Sequence, residues 1–297
     1  MSTGKVSSSQ VRSTASLKQQ AAPAKTKAPA TSAKTTAAGW GAGAGKATSL
    51  KISKANIGDG PATTDAVLVP KGFKAEVKTL SNKQTDTVYG TKVSLEQSAQ
   101  QLTVSGPGGK KFVIGEGEAA MKGTASDWND EVAATKKAPK EEFMSLDWDS
   151  ESGVRGAGTA GQLFSVSLGE SDFTGGAHPN SGTFLNTYDA RTGKQVNLDQ
   201  LLTPKQMNDL VNDVAARLPK LKGPEQDIGP ESFGFGDDKA ALRKTINENF
   251  ALSTDKNGKV KIDIAWESGV HALGGLMAHF SVDAPTDAQF KKNIGLE

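Results

Sequence analysis

No cysteine occurs in the 297 residues, so a disulfide framework, a thiolate nucleophile and a Cys-ligated metal site are all excluded. Aromatic residues are sparse at 6%, and there are three histidines, His178, His271 and His279. Their spacing gives neither the two-histidine pair of a zincin helix nor the HxxxH pair of a polysaccharide deacetylase. No metal site, catalytic group or cofactor is expected. No apolar run approaches the roughly 18 residues that cross a bilayer. The N-terminus also lacks the apolar core of a secretory signal, so export would need another route or a start after processing. Acids are missing from residues 1–58, which hold nine Lys or Arg before Asp59. The rest of the chain keeps 26 basic residues against 33 acidic ones, a balance of −7.

That basic arm is rich in Ala, Ser, Thr and Lys and contains Pro23 and Pro29. It has too little apolar surface to offset chain entropy, and residues 1–60 are expected to be a disordered tail. Its charges are spread singly, with Trp40 alone for stacking, which falls short of a nucleic-acid patch. A weak contact with an anionic surface is the partner it offers. The stretch GWGAGAGKA at 39–47 fails as a phosphate loop, because Trp40 and Ala47 stand at the wrong places and no strand precedes it.

Beyond the tail, short extended runs mark a small β-rich subdomain at 66–118, with pieces at 67–70, 73–77, 92–95, 101–104 and 111–114. A second domain, 119–297, opens with a helix over 126–137, acidic early and basic late. The runs 143–148 and 162–168 are expected to form a hairpin around a glycine-rich loop. Asp147 to Glu151 imitates a calcium loop, but Ser152 stands where glycine is needed and Gly158 where the bidentate acid is needed.

Residues 173–202, FTGGAHPNSGTFLNTYDARTGKQVNLDQLL, are the most informative segment. Gly175 and Gly176 form a bend at a strand end, 183–188 is the next strand, and Asp189 to Lys194 is a turn. Thr203-Pro204-Lys205-Gln206 is a capping box, followed by Met207, Leu210, Val211, Val214 and Leu218 at helical spacing. Asp238 caps a further helix. The hairpin 250–253 with 260–266 ends in VKIDIAW, whose Val260, Ile262, Ile264 and Trp266 share one face, leaving Asp263 solvated on the other. The fold class is α+β, an antiparallel sheet with helices packed on one face.

Candidate ligand-facing residues lie on two glycine loops. One carries Gly175, Gly176 and His178; the other follows Trp266 and carries His271. His178 has three open readings: a loop-fixing hydrogen bond, a ligand contact, or a metal or proton-transfer role. No G-x-S-x-G elbow accompanies it.

The GGAH element, the D-x-x-T-G-K turn and the L-D-Q-L-L run resemble the RsiV-like domain family, of the DUF3298 type. Phe173, Gly175, Gly176, Ala177 and His178 match its first motif. Asp189, Thr192, Gly193, Val196, Leu198, Leu201 and Leu202 match its second, with Gln200 where Asp is common. The resemblance covers about residues 120–285. It implies an extracytoplasmic α+β domain that accompanies anti-sigma factors, where it senses lysozyme, or peptidoglycan deacetylases. The functional expectation is a non-enzymatic binding module for a lysozyme-like protein or a cell-wall glycan, secreted or envelope-associated, with a cytoplasmic location left open. The alternative is a cell-wall or polymer hydrolase that pairs His178 with a nearby carboxylate.

Overall fold

A computed structural model describes residues 50–58, 60–140, 143, 145–175, 179–221, 230–233, 235, 238–267 and 276–296. Among these, the strands are β1 (Lys51–Gly58), β2 (Lys74–Val88), β3 (Thr91–Ser105), β4 (Lys111–Ile114), β5 (Trp148–Ala160) and β6 (Leu163–Phe173). They continue with β7 (Asn180–Asp189), β8 (Gln195–Val196), β9 (Phe250–Thr254), β10 (Val260–Glu267) and β11 (Met277–Asp283). The helices are α1 (Glu118–Thr135), α2 (Pro204–Arg217), α3 (Lys239–Glu248) and α4 (Ala288–Asn293). The architecture is α+β, with two sheets and few helices.

The larger sheet runs β2-β3-β5-β6-β7-β8, with β4 also paired to β3. The smaller runs β1-β11-β10-β9 and is antiparallel throughout. One pair in the larger sheet, β3 with β5, is parallel. The cause is connectivity: the chain leaves β3 through β4, crosses over in α1 and returns, and such a crossover delivers a parallel neighbour. Along β3 the buried positions are Val93, Leu95, Gln97 and Ala99, then Leu102 and Val104. The parity shift lets the first half pack under α1, beside Trp128 and Val132, and the second half pack against Val154, Phe164 and Val166.

The capping box of α2 forms as its sequence requires: Gln206 N donates to Thr203 Oγ1, and Gln206 Oε1 accepts from Thr203 N. Its stripe of Met207, Leu210, Val211 and Val214 belongs to one core with Ile246 of α3 and Phe250, Ile262, Ile264 and Phe280 of the small sheet. The same core also takes Ala160 and Leu163 from the end of β5 and the start of β6.

Three expectations about strands change, and the helix expected at 126–137 begins earlier, spanning Glu118–Thr135. Residues 51–58, within the stretch expected to lack order, form β1. Antiparallel pairing with β11 gives this strand a ladder, and Ile52 and Ile57 give it a buried side. The glycine-rich stretch 153–160, expected as a loop, belongs to β5 and pairs along β6 with a bulge between Gly156 and Gly158. Residues 67–70 are not a strand; Val67 and Val69 pack on the second core instead.

The two sheets meet where β9, an edge strand, lies against β5, β6 and β7. An edge strand leaves backbone groups unpaired, and burying them bare would be costly. Two buried hydroxyls complete the pairing. Leu252 N donates to Ser165 Oγ at 2.8 Å, and Thr187 Oγ1 donates to Phe250 O at 2.9 Å. The hydroxyls are 2.8 Å apart. Since the one proton of Thr187 goes to Phe250, Ser165 must donate to Thr187. A directed chain thus runs Leu252 N–H, Ser165, Thr187, Phe250 carbonyl. Thr187→Val keeps the shape, removes the donor to Phe250 and strands Ser165. Urea denaturation should show a loss of about 1–3 kcal/mol.

Candidate functional site

Two neighbouring strands of the larger sheet present glycine side by side. Gly153 of β5 pairs directly with Gly169 of β6, and Thr183 of β7 stands beside Gly169. A Cβ added at Gly169 would meet nothing within 4 Å, and one at Gly153 would meet only Gln100 Oε1 at 3.8 Å. These glycines are not demanded by crowding. They leave a floor without side chains.

The wall beside that floor depends on the way β3 parts from β5. Beyond the Ala99–Ser152 pair the edge of β5 is vacated. Gln100 Oε1 then accepts from Val154 N at 2.8 Å, and Thr64 exchanges backbone hydrogen bonds of 2.8 and 2.6 Å with Gly156. A Cβ on Gly156 would lie 2.3 Å from Ala66 O, so the crossing requires glycine. Pro61, Thr63 and Asp65 are thereby fixed along one side of two adjoining hollows.

The larger hollow, ≈ 510 Å³, reaches across β2, β3, β5, β6 and β7 and includes Thr79, Gln100, Glu151 and Glu170. The smaller, ≈ 250 Å³, lies where Met277 of the small sheet approaches Leu185 and Ser167. Both share Gly153, Gly169, Thr183 and Arg155.

The acids that border the larger hollow are Asp65, Glu151 and Glu170, against Arg155, while Glu116 borders neither hollow. Burial pushes the Glu170 carboxyl up, and the charges of Asp172, Glu116 and Glu267 push it further. Burial and Asp172 likewise raise Glu116, against a hydrogen bond from Ser152. Arg155 has one ion pair among the described residues, at 4.0 Å from an Asp65 side chain that is 98% exposed.

A buried pair sits elsewhere on the small sheet. His279, 4% exposed, places Nε2 3.1 Å from Asp263 Oδ1, and Ser253 Oγ donates to Asp263 Oδ2 at 3.2 Å. Burial would raise Asp263, but hydrogen bonds from His279, Ser281 and Ser253 hold its carboxyl below the usual range. The Nδ1 atom of His279 is buried and has no hydrogen-bond partner among the described residues. Asp263 is therefore not a solvated residue of a wet face. Its position facing His279 could have been suspected from the alternation of VKIDIAW and MAHFSVD, which puts both on the face opposite the core.

Of the residues proposed from sequence, Gly175 lies just past β6 and adopts φ 90°. Trp266 is 6% exposed, stacks on Phe280 at 5.7 Å and meets Phe235 edge-on at 5.3 Å, so its ring is engaged in the core. Gly176, His178 and His271 lie outside the described residues, as does the test of a His178–carboxylate pair. Among the described residues no group of three or more His, Asp or Glu could hold a metal ion, and no helix is long and apolar enough to cross a membrane.

No protein-family model and no curated protein matches the chain. Two solved structures similar to it are of DUF3298 family proteins. The one from Bacteroides fragilis has 15% identity and a TM-score of 0.47, with 72% of this chain and 91% of that one covered. The one from Pseudomonas aeruginosa has 17% identity and a TM-score of 0.30, with 71% and 91% covered.

The raised Glu170 makes a signed prediction. Its folded state favours the protonated form, so the ionised form costs stability as pH rises from the unfolded value, about 4.3, through the raised one. Glu170→Gln should unfold at a higher urea concentration than wild type at pH 7, by under about 1 kcal/mol after solvent screening. Near pH 3 the two proteins should coincide.

Proposed function

We propose that this chain is a non-catalytic binding module that holds an extended partner across the glycine floor of its larger sheet. The observation that carries the reading is the open space above Gly153 and Gly169. In a strand interior, glycine forfeits packing and entropy, and nothing in the fold requires it at these two places. Backbone left bare at the bottom of a hollow allows a ligand chain to approach closely. The combined hollows fall in the size range of ligand sites.

The lining favours a peptide or protein segment over a glycan. It offers donors and acceptors from Thr79, Gln100, Glu151, Arg155 and Thr183, while among the described residues no aromatic ring lines it to stack on a sugar face. The resemblance of residues 173–202 to the RsiV-like family supports an extracytoplasmic setting and supplies lysozyme as a protein partner to test.

Gly169→Leu fills the floor without forcing a clash. Its thermal midpoint should stay at or above that of wild type, since leucine suits a strand better than glycine. Immobilised wild-type protein should bind lysozyme or soluble peptide-bearing cell-wall fragments, and Gly169→Leu should bind about tenfold more weakly or worse. Equal binding by both proteins, or binding of neither probe, contradicts the reading.

A further inference from the structure

We propose that the smaller hollow receives the carboxylate-terminated end of a peptide, anchored by Arg155; this rests on the reading of the glycine floor as a binding surface. The two hollows differ in chemistry. Among the described residues, three acids, Asp65, Glu151 and Glu170, stand along the larger one, whereas Arg155 is the single charged side chain along the smaller. Around that guanidinium stand the hydroxyls of Thr63, Ser167 and Thr183. Leu185 and Met277, both nearly inaccessible, close its apolar side.

The Arg155 guanidinium is free to take a ligand. Its side chain is 65% exposed, and its contact with Asp65, at 4.0 Å and almost fully in water, is a weak competitor. A planar guanidinium presents paired donors that match both oxygens of a carboxylate, and hydroxyls beside it can supply the remaining hydrogen bonds. The ≈ 250 Å³ hollow admits one small residue, and Leu185 with Met277 suit an apolar side chain on it. The preceding residues then run over Gly153 and Gly169 into the larger hollow, where donors on the peptide meet Glu151 and Gln100. Position in the floor thus sets direction: the carboxyl end lies at the small sheet, the rest toward β3 and β2.

The test uses two libraries of hexapeptides with three randomised terminal residues, identical except that one ends in a free carboxylate and the other in an amide. Each is passed over immobilised full-length protein: wild type, Arg155→Met, Arg155→Lys and Gly169→Leu. Free-acid peptides with a small apolar last residue should be retained by wild type about tenfold or more over their amides. Arg155→Met should lose that preference, and Arg155→Lys should keep part of it. If both libraries are retained equally by wild type and both are lost with Gly169→Leu, the carboxylate assignment is overturned while the floor remains a binding surface. If neither library is retained, or Gly169→Leu retains both as wild type does, the assignment and the binding surface fail together.

Discussion

The hydroxyl chain from Leu252 N–H through Ser165 and Thr187 to the Phe250 carbonyl fixes how the two sheets meet. Without it, β9 would bring unpaired backbone into a dry interface, where each bare group costs about as much as a lost hydrogen bond. Because the chain is directional and the hydroxyl donors are fully used, the sheets have one way to dock. Gly158 makes the same docking possible from β5, since a Cβ there would lie 2.4 Å from Leu252 O. With the docking set, Met277 is held over Leu185, and the hollow between them acquires its shape.

The glycines of β5 divide the labour within one strand. Gly158 admits the second sheet, Gly156 admits the crossing segment at Thr64, and Gly153 admits nothing from the protein itself. The first two are structural necessities, and each would clash if substituted. The third is a vacancy, matched by Gly169 on the neighbouring strand. A fold selected for stability alone would fill that vacancy.

Much of the scaffold was legible in the sequence. The alternation of VKIDIAW, the Thr203 capping box and the run of strands from 162 into that helix are local signals, and local signals survive into the fold. What could not be read depends on distant partners. Ser165 and Thr187 look like ordinary wet-face residues until β9 arrives from over sixty positions away. Ile52 and Ile57 are isolated in a basic, polar arm, and only β11 makes a strand of them. The glycines at 153–158 read as a loop because glycine usually punctuates; here long-range pairing with β6 overrides that tendency. No local signal within that stretch marks Arg155 as facing a hollow.

The backbone amide of Leu252 gives the most direct test of this account. If Ser165 seals the edge of β9, native-state hydrogen exchange at Leu252 should proceed only through global unfolding, with protection equal to the stability of the whole body, and Ser165→Ala should lower that protection selectively. Exchange at Leu252 as rapid as at a frayed edge strand, unchanged in Ser165→Ala, would contradict it.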